Sequence, residues 1–143
     1  MNADRIIETL GLSPHPEGGH YRQTWVAENA DEPGGRPSGT CIYFLLRTGE
    51  RSHWHRVDAT EIWLYHSGAP LILSLSETGT GPATEHLLTP DLALGRPQII
   101  VPQHHWQAAC TTGDYTLVSC TVSPGFQFEG FTLAPEDFEI PTG

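Results

Sequence analysis

The feature that most constrains this chain is a series of short strand-like runs separated by turns rich in glycine and proline. Each run is enriched in β-branched and aromatic residues, and turn residues such as Gly49, Gly68 and Gly113 stand between the runs. Repeated short strands of this kind predict an all-β sandwich, jelly roll or barrel. The predicted strands are 21–26, 40–46, 51–55, 61–66, 71–76, 85–88, 98–101, 106–111 and 115–122.

A single helix is predicted before the strands. Asn2 is a favourable N-cap, residues 3–10 place Ile6 and Leu10 on one face, and Gly11 is a typical stop. A polar loop is predicted at 28–39. With 143 residues, we expect one domain covering 1–143.

Charge and cysteine usage narrow the class of protein. Seven basic against 17 acidic residues give a formal charge of −10, which opposes binding to nucleic acid or to an anionic membrane. No run approaches the ~20 apolar residues of a membrane span, and the N-terminus lacks an apolar signal segment. Cys41, Cys110 and Cys120 show no CxxC spacing, so we expect buried thiols in a reducing cytoplasm.

Three side chains could converge on a metal ion. His53 and His55 stand two apart in a predicted strand, so they would share one face, and Glu61 begins the returning strand. Two imidazoles and a carboxylate suit Mn, Fe, Ni or Zn. Surface or core-edge histidines explain most His-x-His pairs, so the alternative is a structural pair.

A pocket is predicted around these side chains. His105 and Gln107 would share one strand face, and Trp63 lies two residues from Glu61, a pattern typical of an apolar pocket with a few polar groups. Arginines 22, 47, 51 and 56 could grip a carboxylate or phosphate. The chain contains no GxGxxG, P-loop or GxSxG motif, which disfavours dinucleotide-dependent and serine hydrolase chemistry.

These motifs resemble the cupin superfamily of double-stranded β-helix (jelly-roll) barrels. The pattern Gly49-x3-His53-x-His55-x5-Glu61-x6-Gly68 looks like the first cupin motif, in which His-x-His and Glu bind metal in many members. Val101-Pro102 looks like the start of the second motif. In that motif His104 replaces the usual glycine, and Gln107 replaces the usual metal-binding histidine. The resemblance therefore implies a metal site at His53, His55, Glu61 and Gln107.

A narrower resemblance covers nearly the whole chain. Four blocks resemble the cupin branch catalogued as a domain of unknown function, similar in fold to seed-storage cupins, an auxin-binding protein and sugar-nucleotide epimerases. The resemblance implies a homodimer and no established activity. The blocks are His15-Pro16-Glu17-Gly18-Gly19-x-Tyr21, Glu61-Ile-Trp63, Val101-Pro102 with Trp106-Gln107-Ala108, and Ser123-Pro124-Gly125-Phe126.

The function predicted first is binding of a small polar or anionic ligand in the barrel, with or without the divalent metal. One alternative is a metal-dependent isomerase, epimerase or dioxygenase, with His53 or His55 as base and Tyr65 or Tyr43 as acid. The other is a structural or storage protein with a vestigial pocket. The predicted pocket residues are Tyr43, His53, His55, Glu61, Trp63, Tyr65, His105 and Gln107.

Two further expectations concern the N-terminal extended stretch. Gly18 and Gly19 allow backbone angles closed to other residues, so we expect Glu17-Gly18-Gly19 to be structural more than catalytic. The stretch 19–26 is separated from the main series of strands by a long loop, and exposed strand edges invite pairing. We therefore expect it to form the homodimer contact.

Overall fold

Strands dominate the computed structural model, which describes residues 2–28 and 35–142; positions 29–34 of the predicted polar loop lie outside this part. The described residues form one α-helix, eleven strands and a 3-10 turn at Phe128–Gly130. The elements are α1 (Ala3–Leu10), β1 (Ser13–Pro14), β2 (His20–Val26), β3 (Thr40–Arg47), β4 (Arg51–Val57), β5 (Thr60–Gly68), β6 (Leu71–Ser76), β7 (Thr84–Leu88), β8 (Gln98–Val101), β9 (Trp106–Thr111), β10 (Tyr115–Ser123) and β11 (Phe131–Leu133).

The helix has the predicted ends. The Asn2 side chain accepts the Arg5 N–H at 2.9 Å, which caps the first turn. Gly11 adopts φ 66°, the left-handed conformation that closes a helix at low cost in glycine. The apolar face of α1 packs through Ile6 against Leu45 on the outer side of β3.

Two antiparallel sheets form the jelly roll. The first has the strand order β1-β2-β3-β10-β5-β8, and the second has the order β11-β4-β9-β6-β7. Strands that follow one another in the sequence often lie in different sheets, so the chain crosses repeatedly from one sheet to the other. This connectivity is that of a double-stranded β-helix. Every strand predicted from the sequence is present, although several extend one or two residues further, and β1 and β11 were not predicted.

The main core lies between the two sheets. Phe44, Trp63 and Val118 from the first sheet meet Leu71 and Leu73 from the second, and all five are almost fully buried. This core fills one end of the barrel and leaves the other end for a cavity.

All three cysteines are free. Cys120 is buried, as predicted, whereas Cys41 and Cys110 are only partly buried. None of the helices in the described part of the chain is long and apolar enough to cross a membrane.

Candidate functional site

A cavity of about 120 Å³ lies in the barrel between β2, β3 and β10 on one side and β4 on the other. One wall is polar and carries His15, Glu17, His55 and Glu61, together with the thiol of Cys120. All four ionisable side chains are nearly removed from solvent. A concave site with a few converging buried polar groups is typical of ligand-binding sites.

Glu17 enters this wall from the turn before β2. The carbonyl oxygens of His15 and Gly19 accept the backbone N–H groups of Gly18 and His15 at 3.0 and 2.9 Å, which closes the turn. The Glu17 carbonyl accepts the His53 N–H at 2.8 Å, and the Ser52 hydroxyl donates to the Glu17 carboxyl. The turn is therefore docked on β4 through backbone and side chain.

A β-bulge in β4 selects which side chains face the cavity. Ser52 pairs with Ala109 and His55 with Gln107, so three steps along β4 match two along β9. The extra residue breaks the two-residue alternation, and Ser52 and His55 face inwards together. His53 does not line the cavity; its Nε2 lies 2.8 Å from the Pro135 carbonyl oxygen. The expectation that His53 and His55 share one face is wrong because of this bulge.

The orientation of the His55 ring is held by the backbone. Nδ1 lies 2.8 Å from the His53 carbonyl oxygen, which can only accept, so Nδ1 carries the proton. Nε2 is then a bare acceptor, and it lies 3.5 Å from Glu17 Oε1. Burial lowers the pKa of His55, so the ring is neutral.

Glu61 is held by a buried chain of side chains. The Trp63 indole N–H donates to Gln107 Oε1 at 2.8 Å, and Gln107 Nε2 donates to Glu61 Oε1 at 2.9 Å. The indole can only donate, so it settles which end of the amide faces the carboxyl group. The Cys120 thiol, which also lines the cavity, lies close enough to Glu61 to affect the pKa of that carboxyl group. Gln107 thus positions Glu61 from behind the wall and does not line the cavity.

Burial leaves this wall largely uncharged. It raises the pKa of Glu17 to about 8, although the hydrogen bond from Ser52 opposes the shift. Burial likewise raises the pKa of Glu61 to about 7, with the nearby Glu17 adding to the effect. Burial and the neighbouring His55 lower the pKa of His15 to about 4. At neutral pH the His15 ring is therefore neutral and Glu17 holds its proton.

Aromatic rings also line the cavity. Phe126 and Phe128 meet edge to face, with ring centroids 4.9 Å apart. The Phe126 N–H donates to the Thr40 hydroxyl oxygen at 2.9 Å, which anchors this segment to β3. Phe128 is 54% exposed, so it stands at the mouth. A ligand would therefore meet aromatic rings as well as acids and imidazoles.

Several predicted pocket residues lie elsewhere. Tyr43 packs beside α1 on the outer face of the first sheet, and the Tyr65 hydroxyl donates to the Gly68 carbonyl at 2.6 Å. His105 lines a separate surface depression that also contains His86. Trp63 is in the core and reaches the site only through Gln107. Of the eight predicted residues, only His55 and Glu61 line the cavity.

The predicted arginine grip is also absent from the cavity among the residues that the structure describes. Arg47 pairs with Glu50 and Asp4, and Arg51 pairs with Glu139. The two other arginines have contacts on the outside of the barrel: Arg22 donates to the Leu10 carbonyl, and Arg56 lies over the Trp106 ring.

His15, Glu17 and Cys120 line the site but were not among the predicted site residues. Glu17 was expected to have a structural role, and Cys120 was expected to be a buried thiol in the core. The available signal was the block His15-Pro16-Glu17-Gly18-Gly19, in which a carboxyl group directly precedes two glycines that hold a tight turn.

The predicted metal ligands do not fit a four-ligand metal site as the structure arranges them. His53 is turned away, and Gln107 directs its amide N–H group, which cannot bind a cation, at Glu61. Across residues 2–28 and 35–142, no three His, Cys, Asp or Glu side chains are grouped in a way that could hold a metal ion.

Comparison with known proteins places this geometry in context. Residues 4–134 match the family model described as cupin superfamily (DUF985). A crystal structure of a protein from Shewanella oneidensis is 43% identical, with a TM-score of 0.87, 94% of this chain covered and 85% of that chain. A hypothetical protein from Leishmania major is 29% identical, with a TM-score of 0.84 and coverage of 96% and 90%. No match was found among curated proteins.

More distant solved structures share the fold alone. Oxalate decarboxylase from Bacillus subtilis is 11% identical with a TM-score of 0.62; the match covers 84% of this chain but 29% of the decarboxylase. That enzyme carries Mn(II) centres.

Proposed function

This chain belongs to the cupin superfamily, in the family described as DUF985, and on that premise we propose that its barrel cavity binds a small polar molecule. The observation that carries this proposal is the wall of four buried ionisable side chains facing a cavity of about 120 Å³. An engineered cavity of about 150 Å³ holds benzene. This cavity is somewhat smaller but is open at Phe128, so a single small ring is about the largest group that it could take.

The cost of burying these groups supports binding over vestigial packing. Removing an ionisable side chain from water costs free energy that its hydrogen bonds only partly offset. His15, Glu17, His55 and Glu61 each have a hydrogen-bond partner, but all four are buried around an open space, where apolar side chains would avoid this desolvation. Perturbed ionisable groups in a cleft are typical of functional sites.

Metal at His53, His55, Glu61 and Gln107 is not part of this proposal. The reason is the placement of His53 and the amide orientation of Gln107. Binding instead uses the hydrogen-bonding groups of the wall directly.

A second candidate is an isomerase that works by proton transfer. The observation favouring it is that Glu17 and Glu61, which line the cavity together with His55, have pKa values raised to about 8 and about 7. Groups that exchange protons near neutral pH are effective general acids and bases. Of the base and acid residues predicted from the sequence, His55 alone lies here.

A fragment screen tests the binding proposal. We would screen ring compounds of up to about ten heavy atoms by ligand-observed NMR against the wild type and Ile42→Phe. Ile42 lines the cavity, so the larger ring should fill it. Ile100→Phe is the matched control, because Ile100 is 55% exposed on β8. Hits that bind the wild type and the control but not Ile42→Phe support the proposal; hits indifferent to Ile42→Phe, or none at all, would refute it.

We also propose a homodimer formed through β2. On the side of β2 away from β3, Ser13 and Pro14 pair with Tyr21 and His20, and no other described residue pairs there. Within the described part of the chain, residues 22–26 therefore form a free sheet edge. Trp25 and Val26 on that edge are 54% and 47% exposed. Exposed apolar edge strands are suited to pairing with another strand.

A further inference from the structure

We infer that the ligand of this cavity is a small organic cation whose N–H groups bind the Glu17–His55–Glu61 wall and whose apolar part lies against Phe126 and Phe128. This inference names the ligand class and rests on the proposed binding function. The inferred cation differs from the anionic ligand that the sequence motifs allowed as one alternative.

The wall offers several acceptors, and two of the donors around it are already engaged. His55 Nε2 is a bare acceptor on a ring that is 2% exposed, and it makes no hydrogen bond to any residue that the structure describes. Glu17 Oε1 lies 3.5 Å from it. The Ser52 hydroxyl is used on the Glu17 carboxyl, and the Gln107 amide is used on Glu61. A ligand that supplies several N–H donors matches the His55 nitrogen and the two carboxyl groups better than a ligand of acceptors does.

The charge of the wall points the same way. Two carboxyl groups border the cavity, and among the described residues no arginine lines it; the chain contains no lysine. The two imidazoles are neutral because burial lowers the pKa of each. An anionic ligand would therefore meet two acids and no positive charge, while a cation offsets the cost of burying their ionised forms.

The aromatic rings complete the match. Phe126 and Phe128 line the same cavity as the acids, and their rings can contact either an apolar ring or the cation itself. A planar group with a charged N–H fork at one end can contact both the acids and the aromatic rings. Amidinium and ammonium compounds carried on a small ring are the simplest members of this class.

Three probes of nearly identical shape test the charge. Benzamidine is a cation, benzamide is neutral and benzoate is an anion. We would measure their affinities by calorimetry at about 0.15 M salt, where charges beyond about 8 Å are screened. We expect benzamidine to bind at least about tenfold tighter than benzamide and benzoate not to bind detectably.

Variants test whether benzamidine binds in the cavity or at acidic groups on the protein surface. Glu17→Gln and Glu61→Gln keep the shape and remove a carboxyl group that can ionise beside a bound cation, so each should weaken benzamidine binding at least about tenfold. Glu8→Gln removes a charge on the exposed face of α1 and should leave the affinity within about twofold. If a variant unfolds, the affinities of the three probes for the wild type still test whether the cavity prefers a cation.

Each other outcome overturns the inference. Equal or tighter binding of benzamide or benzoate, lost in Ile42→Phe, would show that the cavity binds molecules but not cations. Benzamidine binding unaffected by either cavity substitution would be nonspecific attraction to a protein of charge −10. If none of the three probes binds while the fragment screen yields cavity ligands, the cation class fails and the binding function stands.

Discussion

Burial in the cavity wall strongly changes the acidity of Glu17. Its carboxyl group is nearly buried and receives the Ser52 hydroxyl, and burial raises its pKa to about 8. The folded protein therefore keeps a proton that the unfolded chain releases above about pH 4.5. Because the folded and unfolded states hold the Glu17 proton with different affinities, the free energy of unfolding depends on pH.

This linkage has a defined sign. Between about pH 6.5 and pH 8.5 the unfolded state binds fewer protons at Glu17 than the folded state, so the free energy of unfolding falls as pH rises. Glu17→Gln should flatten that fall, and Glu8→Gln should not. Thermal unfolding monitored by circular dichroism across this range measures it. Identical slopes for the wild type and Glu17→Gln would contradict the account.

The donor set around Glu61 leads to a prediction about metals. Because His53 faces Pro135 and Gln107 presents N–H groups, tag-free protein should bind less than about a tenth of an equivalent of Mn, Ni, Zn or anaerobic Fe(II) at neutral pH. Elemental analysis and calorimetric titration measure this. Stoichiometric binding that is lost in His55→Ala would show that the wall rearranges to coordinate metal.

At the scale of elements, the turn before β2 and the bulge in β4 build the site together. Gly18 has φ 113°, and a Cβ there would overlap the Arg51 carbonyl oxygen; Gly19 has φ 75° and would place a Cβ 2.8 Å from Leu45 O. The close approach that these glycines permit lets the Glu17 carbonyl take the His53 N–H.

Substitution at the turn tests this arrangement. Gly19→Val should lower the melting temperature, because it combines a left-handed backbone with overlap against β3. Gly49→Val is the matched control: Gly49 has φ 84°, but a Cβ there meets nothing within 4 Å. We expect the larger loss at Gly19. An equal loss at both positions, measured by differential scanning calorimetry, would mean that the backbone conformation alone matters.

Local patterns in the sequence predicted most elements but only part of the site. The caps of α1 and the turn residues between strands act over a few positions, so they can be recognised in the sequence itself. Accordingly, β6, β8 and β9 begin and end at the predicted residues. The β4 bulge lies where Glu17, 35 positions from Ser52 along the chain, contacts Ser52 and His53. Strand alternation alone therefore placed His53 inside.

The same limit applies to Gln107. Its spacing within the second motif indicated a ligand position, and its side chain does reach Glu61. The direction of the amide depends on the Trp63 indole, which is 44 positions away along the chain. Long-range hydrogen bonds of this kind leave no periodic trace in a sequence.

At the scale of the whole molecule, the free edge of β2 sets the expected assembly. Trp25→Lys places a charge at that edge and should convert a dimer to a monomer. Ile100→Lys, on β8 at the other end of the same sheet, is the control and should remain dimeric. Light scattering at micromolar concentration gives the mass. A monomeric wild type, or a dimer unaffected by Trp25→Lys, would exclude this interface.

The claim that the barrel cavity is the binding site is tested most directly at its two imidazoles. Long-range ¹H–¹⁵N spectra resolve histidine side chains, and the chain supplies its own reference, since His15 and His55 line the cavity whereas His86 and His104 lie at surface depressions. Titration of the wild type with benzamidine and with the hits of the fragment screen should shift the His15 and His55 signals and leave the other two in place. If compounds that bind shift only His86 or His104, or leave all four unchanged, the cavity is not the binding site.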